Sequence, residues 1–127
     1  GGTLMGVAQA LKAWHNPDSK VFAMEPSESK TLQCCMVADH KIEGIADGFV
    51  PTIYERHKGL VDEIIAIDSD EAIAQCKKLC AEGCFVGPSS GANMLAAHQV
   101  KQRYPEIKNI VTFLCDSGQK YLSMLYP

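Results

Sequence analysis

Apolar residues recur at helical spacing from the start of the chain, where Leu4, Val7, Ala8, Leu11 and Trp14 follow directly on Gly-Gly-Thr. This pattern predicts an amphipathic helix opened by a glycine-rich turn and ended by Asn16-Pro17-Asp18. Val21 to Met24 is a short apolar run closed by Glu25-Pro26, and its length favours a buried strand. Between Ser27 and Gly59 the pattern turns irregular, with a short helix expected around Thr31 to Val37 and a turn-rich loop from Gly44 to Pro51. Long loops in compact domains are usually functional. Ile64 to Ile67 predicts a second strand. Asp68 and Glu71 then resemble a capping box for a helix bearing Ala72, Ile73, Cys76, Leu79 and Cys80, with Gly83 as its stop. Cys84 to Val86 predicts a third strand, which leads through Gly87-Pro88-Ser89-Ser90-Gly91 into a helix ending near Tyr104, since Pro105 prevents continuation. Asn109 to Cys115 predicts a fourth strand, Asp116-Ser117-Gly118 a turn, and Gln119 to about Leu125 a last helix.

Strands alternating with helices imply right-handed crossovers and an α/β fold, a mainly parallel sheet sandwiched by helices. The 127 residues suit one domain spanning 1–127, and 46% of them are apolar, enough for a core. Ligands of such sheets gather at the carboxyl ends of the strands. Three small-residue corners stand at strand ends or helix starts: Gly1 to Thr3, Gly87 to Gly91 and Asp116 to Gly118.

Charge changes the picture by exclusion. Twelve Lys and Arg stand against fifteen Asp and Glu, with no basic run, which argues against nucleic acid or an anionic membrane surface as partner. With no apolar stretch of membrane-spanning length, the chain reads as cytoplasmic and its ligand as small. Its six cysteines read as reduced thiols, because Cys34 and Cys35 are adjacent and Cys76 and Cys80 lie one helical turn apart. The opening Gly1, with no Met before it, gives the expectation that the natural polypeptide begins earlier.

Each candidate motif has a plain reading beside its chemical one. Gly-Gly-Thr at a helix start suits a phosphate, because glycine lets the backbone approach closely and the first-turn N–H groups favour an anion; it also suits an ordinary turn. Gly87 to Gly91 fits the G-x-S-x-G pattern of a hydrolase elbow, but no histidine follows Asp116 to complete a triad, so serines capping a helix is the better reading. Cys76, Cys80 and Cys84 lack the spacing and the fourth ligand of common metal sites. His15, His40, His57 and His98 are scattered and receive no role. Trp14, Phe22, Phe49, Phe85 and Phe113 are expected in the core.

Together, Gly-Gly-Thr before a helix, the Gly44 to Pro51 loop, Gly87 to Ala92 and Cys115 to Ser123 resemble the cysteine synthase (O-acetylserine sulfhydrylase) family of fold-type II pyridoxal-phosphate (PLP) enzymes. The resemblance runs in order over essentially the whole chain and identifies it with that family's C-terminal half. It implies that Gly1, Gly2 and Thr3 end the loop holding the cofactor phosphate. It further implies that Ser117 bonds the pyridine nitrogen and that Gly44 forms a wall of the active site. A neutral hydroxyl at that nitrogen leaves the ring a weaker electron sink than a carboxylate would, which suits chemistry at Cβ. The implied reaction is a β-replacement in which sulfide displaces the acetoxy group of O-acetylserine from Cβ, giving cysteine and acetate.

The sequence departs from the family where Ala46 replaces a common second glycine and Asp47-Gly48 replaces Ala-Gly. The Schiff-base lysine belongs to the family's N-terminal half, and no lysine here matches its motif, so this chain is expected to be inactive alone. The nearest alternative is cystathionine β-synthase, which resembles the same motifs and uses homocysteine in place of sulfide, followed by amino-acid dehydratases of the same fold. A non-catalytic binding module is the reading from another class. The resemblance also implies as partners the missing N-terminal half, a homodimer mate and the C-terminal tail of serine acetyltransferase.

Overall fold

The computed structural model describes residues 1–126; Pro127, the last residue of the expected domain, lies outside them. Helix α1 spans Gly2–Ala10 and buries Met5 and Ala8. It runs into a π-turn over Leu11–His15, closed by the Asn16 N–H on the Leu11 carbonyl at 2.8 Å. A π-turn inserts one residue into the helical repeat and rotates the downstream side chains about the axis. The expected apolar stripe is therefore broken, and Trp14 is 80% exposed where a core position was expected.

Strands β1 (Phe22–Pro26) and β2 (Glu63–Ile67) pair in parallel, with Phe22 opposite Glu63 and Pro26 opposite Ile67. Asp62 clips their entry: its N–H donates to the Val21 carbonyl at 2.8 Å and its carboxylate accepts from the Val21 N–H at 2.8 Å. The connection between the strands holds α2 (Thr31–Cys34), the Gly44 loop and α3 (Thr52–His57). Glu25 is buried at the end of β1, where it accepts from the N–H groups of Leu32 and Gln33 at the start of α2, at 2.7 and 3.3 Å.

Helix α4 (Ser69–Ala81) starts where expected, because the Asp68 carboxylate accepts from the N–H groups of Asp70 and Glu71. Helix α5 (Pro88–Arg103) starts with proline at its first turn and packs along α4. Its residues Ala92, Ala96 and Val100 meet Ile65 and Ile67 of β2, with Ile42 and Ala72, to form the main core. A second cluster joins Cys76, Leu79, Val86 and Leu125, the last of these from the short helix α6 (Leu122–Leu125).

The fold is α/β, as expected, but its sheet is smaller than the sequence pattern suggests: among the described residues it contains β1 and β2 alone. The expected third strand contributes a single antiparallel bridge, Val86 to Ser117. The expected fourth strand forms no ladder. Side chains of α5 hold its backbone instead, with Asn93 donating to the Phe113 carbonyl at 3.0 Å and Ser90 accepting from the Cys115 N–H at 2.9 Å. Strand propensity without a neighbouring strand gives extended chain but no sheet. Phe113 is accordingly exposed, as is Phe49 in its loop, against the expectation that both are core; Phe22 and Phe85 do pack at core edges. Among the described residues no helix is long and apolar enough to cross a membrane.

Candidate functional site

Two of the three small-residue corners meet. The Gly87 N–H donates to the Asp116 carbonyl at 3.0 Å, and the Gly118 N–H donates to the Phe85 carbonyl at 3.1 Å. Ser90 ties the same corners from below through the Cys115 N–H. The approach demands small residues: a Cβ on Gly87 would stand 2.5 Å from Asp116 Oδ1, and one on Gly118 would stand 2.6 Å from the Phe85 ring.

This junction corrects the expectation that both serines of Gly87-Pro-Ser-Ser-Gly91 cap a helix. Gly87 itself is the N-cap of α5, without a side-chain cap, and Ser90 is fully buried with its hydroxyl spent on Cys115. Ser89 is half-buried on the first turn of α5.

Ser117 is exposed and caps the 3₁₀ turn Gly118–Tyr121, accepting from the Gln119 N–H at 3.4 Å. As an acceptor there it keeps its own hydrogen to donate elsewhere. Next to it, Asp116 Oδ2 accepts from the Tyr121 hydroxyl at 2.7 Å, which, ahead of burial, pushes that phenol up to about 12. Asp116 Oδ1 is buried and finds no hydrogen-bond partner among the described residues.

The third corner, Gly1 to Thr3, opens α1. The first helical bond runs from the Met5 N–H to the Gly1 carbonyl at 3.0 Å, so the N–H groups of Gly2, Thr3 and Leu4 precede the helical ladder. Gly1 lies against Pro51 and Ile53 at the end of the Gly44 loop, and a Cβ on Gly2 would meet nothing within 4 Å. N–H groups outside the helical ladder, the helix dipole and open space are the features that suit an anion. Gly44 lies in its loop with φ +83 and lines a recess of about 520 Å³ together with His40, Glu43, Ala46 and Asp47.

Comparison with known proteins gives this arrangement its context. The family model for pyridoxal-phosphate dependent enzymes matches residues 1–116. The chain belongs to that family. Cysteine synthase B of Campylobacter jejuni is 37% identical over 123 residues, which are 97% of this chain and 40% of that protein. The solved structure of O-acetyl serine sulfhydrylase isoform 3 from Entamoeba histolytica superposes with a TM-score of 0.91 at 38% identity, over 98% of this chain and 37% of the other. An O-acetylserine dependent cystathionine beta-synthase from Helicobacter pylori superposes with a TM-score of 0.89 at 34% identity, over 100% and 41%. The chain thus spans about two fifths of the length of the relatives it matches.

The residues present fit the PLP cofactor of this family. The open N–H groups at Gly2 and Thr3 suit its phosphate dianion. The joined corners around Ser117 and Ser89 offer neutral hydroxyl donors for a ring nitrogen.

Proposed function

We propose that the protein containing this chain catalyses β-replacement on an activated serine, with O-acetylserine and sulfide as its substrate pair. The observation behind this reading is the meeting of the Gly87 and Ser117 corners in a chain whose matched relatives include a cysteine synthase and an O-acetyl serine sulfhydrylase. In this reading residues 1–127 form one unit, the cofactor-holding part of the enzyme, and the lysine that binds the cofactor covalently lies outside it.

When bound, PLP supplies an electron-withdrawing ring that stabilises negative charge at the substrate Cα. The backbone N–H groups of Gly1, Gly2 and Thr3 grip the phosphate end, and the Thr3 hydroxyl adds a donor. Ser117 donates its hydroxyl hydrogen to the ring nitrogen while its oxygen remains the acceptor for Gln119. The Gly44 loop walls the substrate and excludes water. A hydroxyl at that position, unlike a carboxylate, would not favour a protonated ring, which suits chemistry at Cβ.

A second assignment for the ring-nitrogen contact is Ser89, because it stands on the first turn of the 16-residue helix α5, whose positive end disfavours a protonated ring. Ser117→Ala and Ser89→Ala separate the two. The variant that keeps PLP yet loses about tenfold or more in kcat/KM marks the contact, since one hydrogen bond to the reacting system is worth that much.

The nucleophile is tested by assaying the whole protein with O-acetylserine and either sulfide or homocysteine. Cysteine formation with sulfide supports the proposal. Turnover with homocysteine alone would transfer it to the cystathionine β-synthase reaction, for which the Helicobacter pylori relative is the precedent. We further propose that this chain by itself binds PLP weakly and turns nothing over; a borohydride-reducible visible band on one of its own lysines would refute that.

A further inference from the structure

His40 received no role from its sequence position, yet its ring is engaged at both nitrogens. Nδ1 accepts from the Ile42 N–H at 3.3 Å, and Nε2 lies 3.3 Å from the Ala46 carbonyl oxygen. An amide N–H can only donate and a carbonyl can only accept, so both bonds hold in one form of the ring: neutral, with its hydrogen on Nε2. The gripped segment is unusual in its backbone. Gly44, Ala46 and Gly48 alternate with φ of +83, +53 and +88, all in the left-handed region. Two are glycines, which adopt it freely. Ala46 carries a Cβ, so its conformation is costly and has to be held from outside. The His40 ring bonds the carbonyl of that very residue.

We propose that His40 is a positioning residue, whose Nε2-protonated ring holds the Gly44–Gly48 loop in the shape that walls the substrate recess. Lys41, the adjacent cation, is engaged elsewhere, its ammonium on Asp70 at 2.6 Å and its N–H on Ser69 at 3.0 Å. The tie between ring and loop stands on its own geometry. Its effect on substrate rests on reading the loop as the substrate wall.

Two substitutions divide the ring's functions. His40→Asn keeps an acceptor near Nδ1 for the Ile42 N–H, in the manner of an Asx turn, but cannot reach Ala46. His40→Gln extends an amide donor towards Ala46. Long-range nitrogen NMR of the unmodified whole protein reads the tautomer directly; hydrogen on Nε2 is expected, and hydrogen on Nδ1 overturns the proposal. In the whole protein, amide order parameters across residues 44–48 from nitrogen NMR relaxation should fall in His40→Asn, from those of a held backbone towards those of a flexible loop, and stay near the starting values in His40→Gln. Unchanged order in His40→Asn overturns the tie. In the whole enzyme His40→Asn should raise KM for the amino-acid substrate about five- to tenfold, the worth of one hydrogen bond, while kcat and PLP content hold. Lower order with unchanged KM would leave the tie standing and overturn the loop's role as substrate wall.

Discussion

Tyr121 and Asp116 form a hydrogen-bonded pair directly beside Ser117, and the pair can be read spectroscopically. Asp116→Asn removes the charge that favours the protonated phenol, so the Tyr121 absorbance titration should move from about 12 towards the ordinary tyrosine value of 10.0. A midpoint unmoved by the substitution would mean that burial, not Asp116, sets it. Asp62 gives a second residue-level test. Burial alone would raise its carboxyl, but the Val21 N–H bond, with Lys12 at 2.9 Å, outweighs burial and holds it below 3.8. A depressed folded value means that the stabilisation is present above the unfolded pKa and is lost as pH falls through the folded one. Asp62→Asn should therefore cost about 1 kcal/mol at neutral pH, an amount discounted because the pair is partly exposed, and should flatten the acid limb of a pH-stability curve. Neither pair was legible in the sequence. Asp62 and Val21 are 41 positions apart, and a contact of that kind exists only once two strands have chosen each other.

The order of most elements, by contrast, was legible, because local periodicity and caps decide it. Asp68 begins α4 as its spacing suggested, and proline opens α5. What failed was any inference that depends on a neighbour. Asn109 to Cys115 has the composition of a strand but no ladder, and Trp14 lies on an apolar stripe that the π-turn interrupts. The contact between α4 and α5 was also invisible, and Gly91 marks a close approach within it. A Cβ on Gly91 would press on the Ala72 carbonyl and stand 2.9 Å from Cys76 Sγ. Gly91→Ala should therefore push the helices apart and destabilise by about 1–3 kcal/mol, seen as a lowered Tm, despite alanine's better helix propensity. A raised Tm would show that the helices can adjust at little cost.

At the scale of the molecule, two of three small-residue corners far apart in sequence meet, and the proposed cofactor site takes its phosphate end from the third, Gly1 to Thr3. The family motifs made that site legible as a set of positions, while the structure shows how the Gly87 and Ser117 corners are bound to each other and how α1 leaves its first N–H groups outside the helical ladder. If the phosphate end is held there, pyridoxal without phosphate should bind the whole protein about a hundredfold more weakly than PLP, since charge-assisted bonds and the helix dipole are lost together. Equal affinities would place the phosphate in solvent. The central claim is that a hydroxyl, not the neighbouring carboxylate, meets the ring nitrogen. The most direct measurement is the structure of the PLP-loaded protein: the account predicts the phosphate on the Gly2 and Thr3 N–H groups and the ring nitrogen within hydrogen-bond distance of the Ser117 or Ser89 hydroxyl. A ring nitrogen bonded to the Asp116 carboxylate would contradict it.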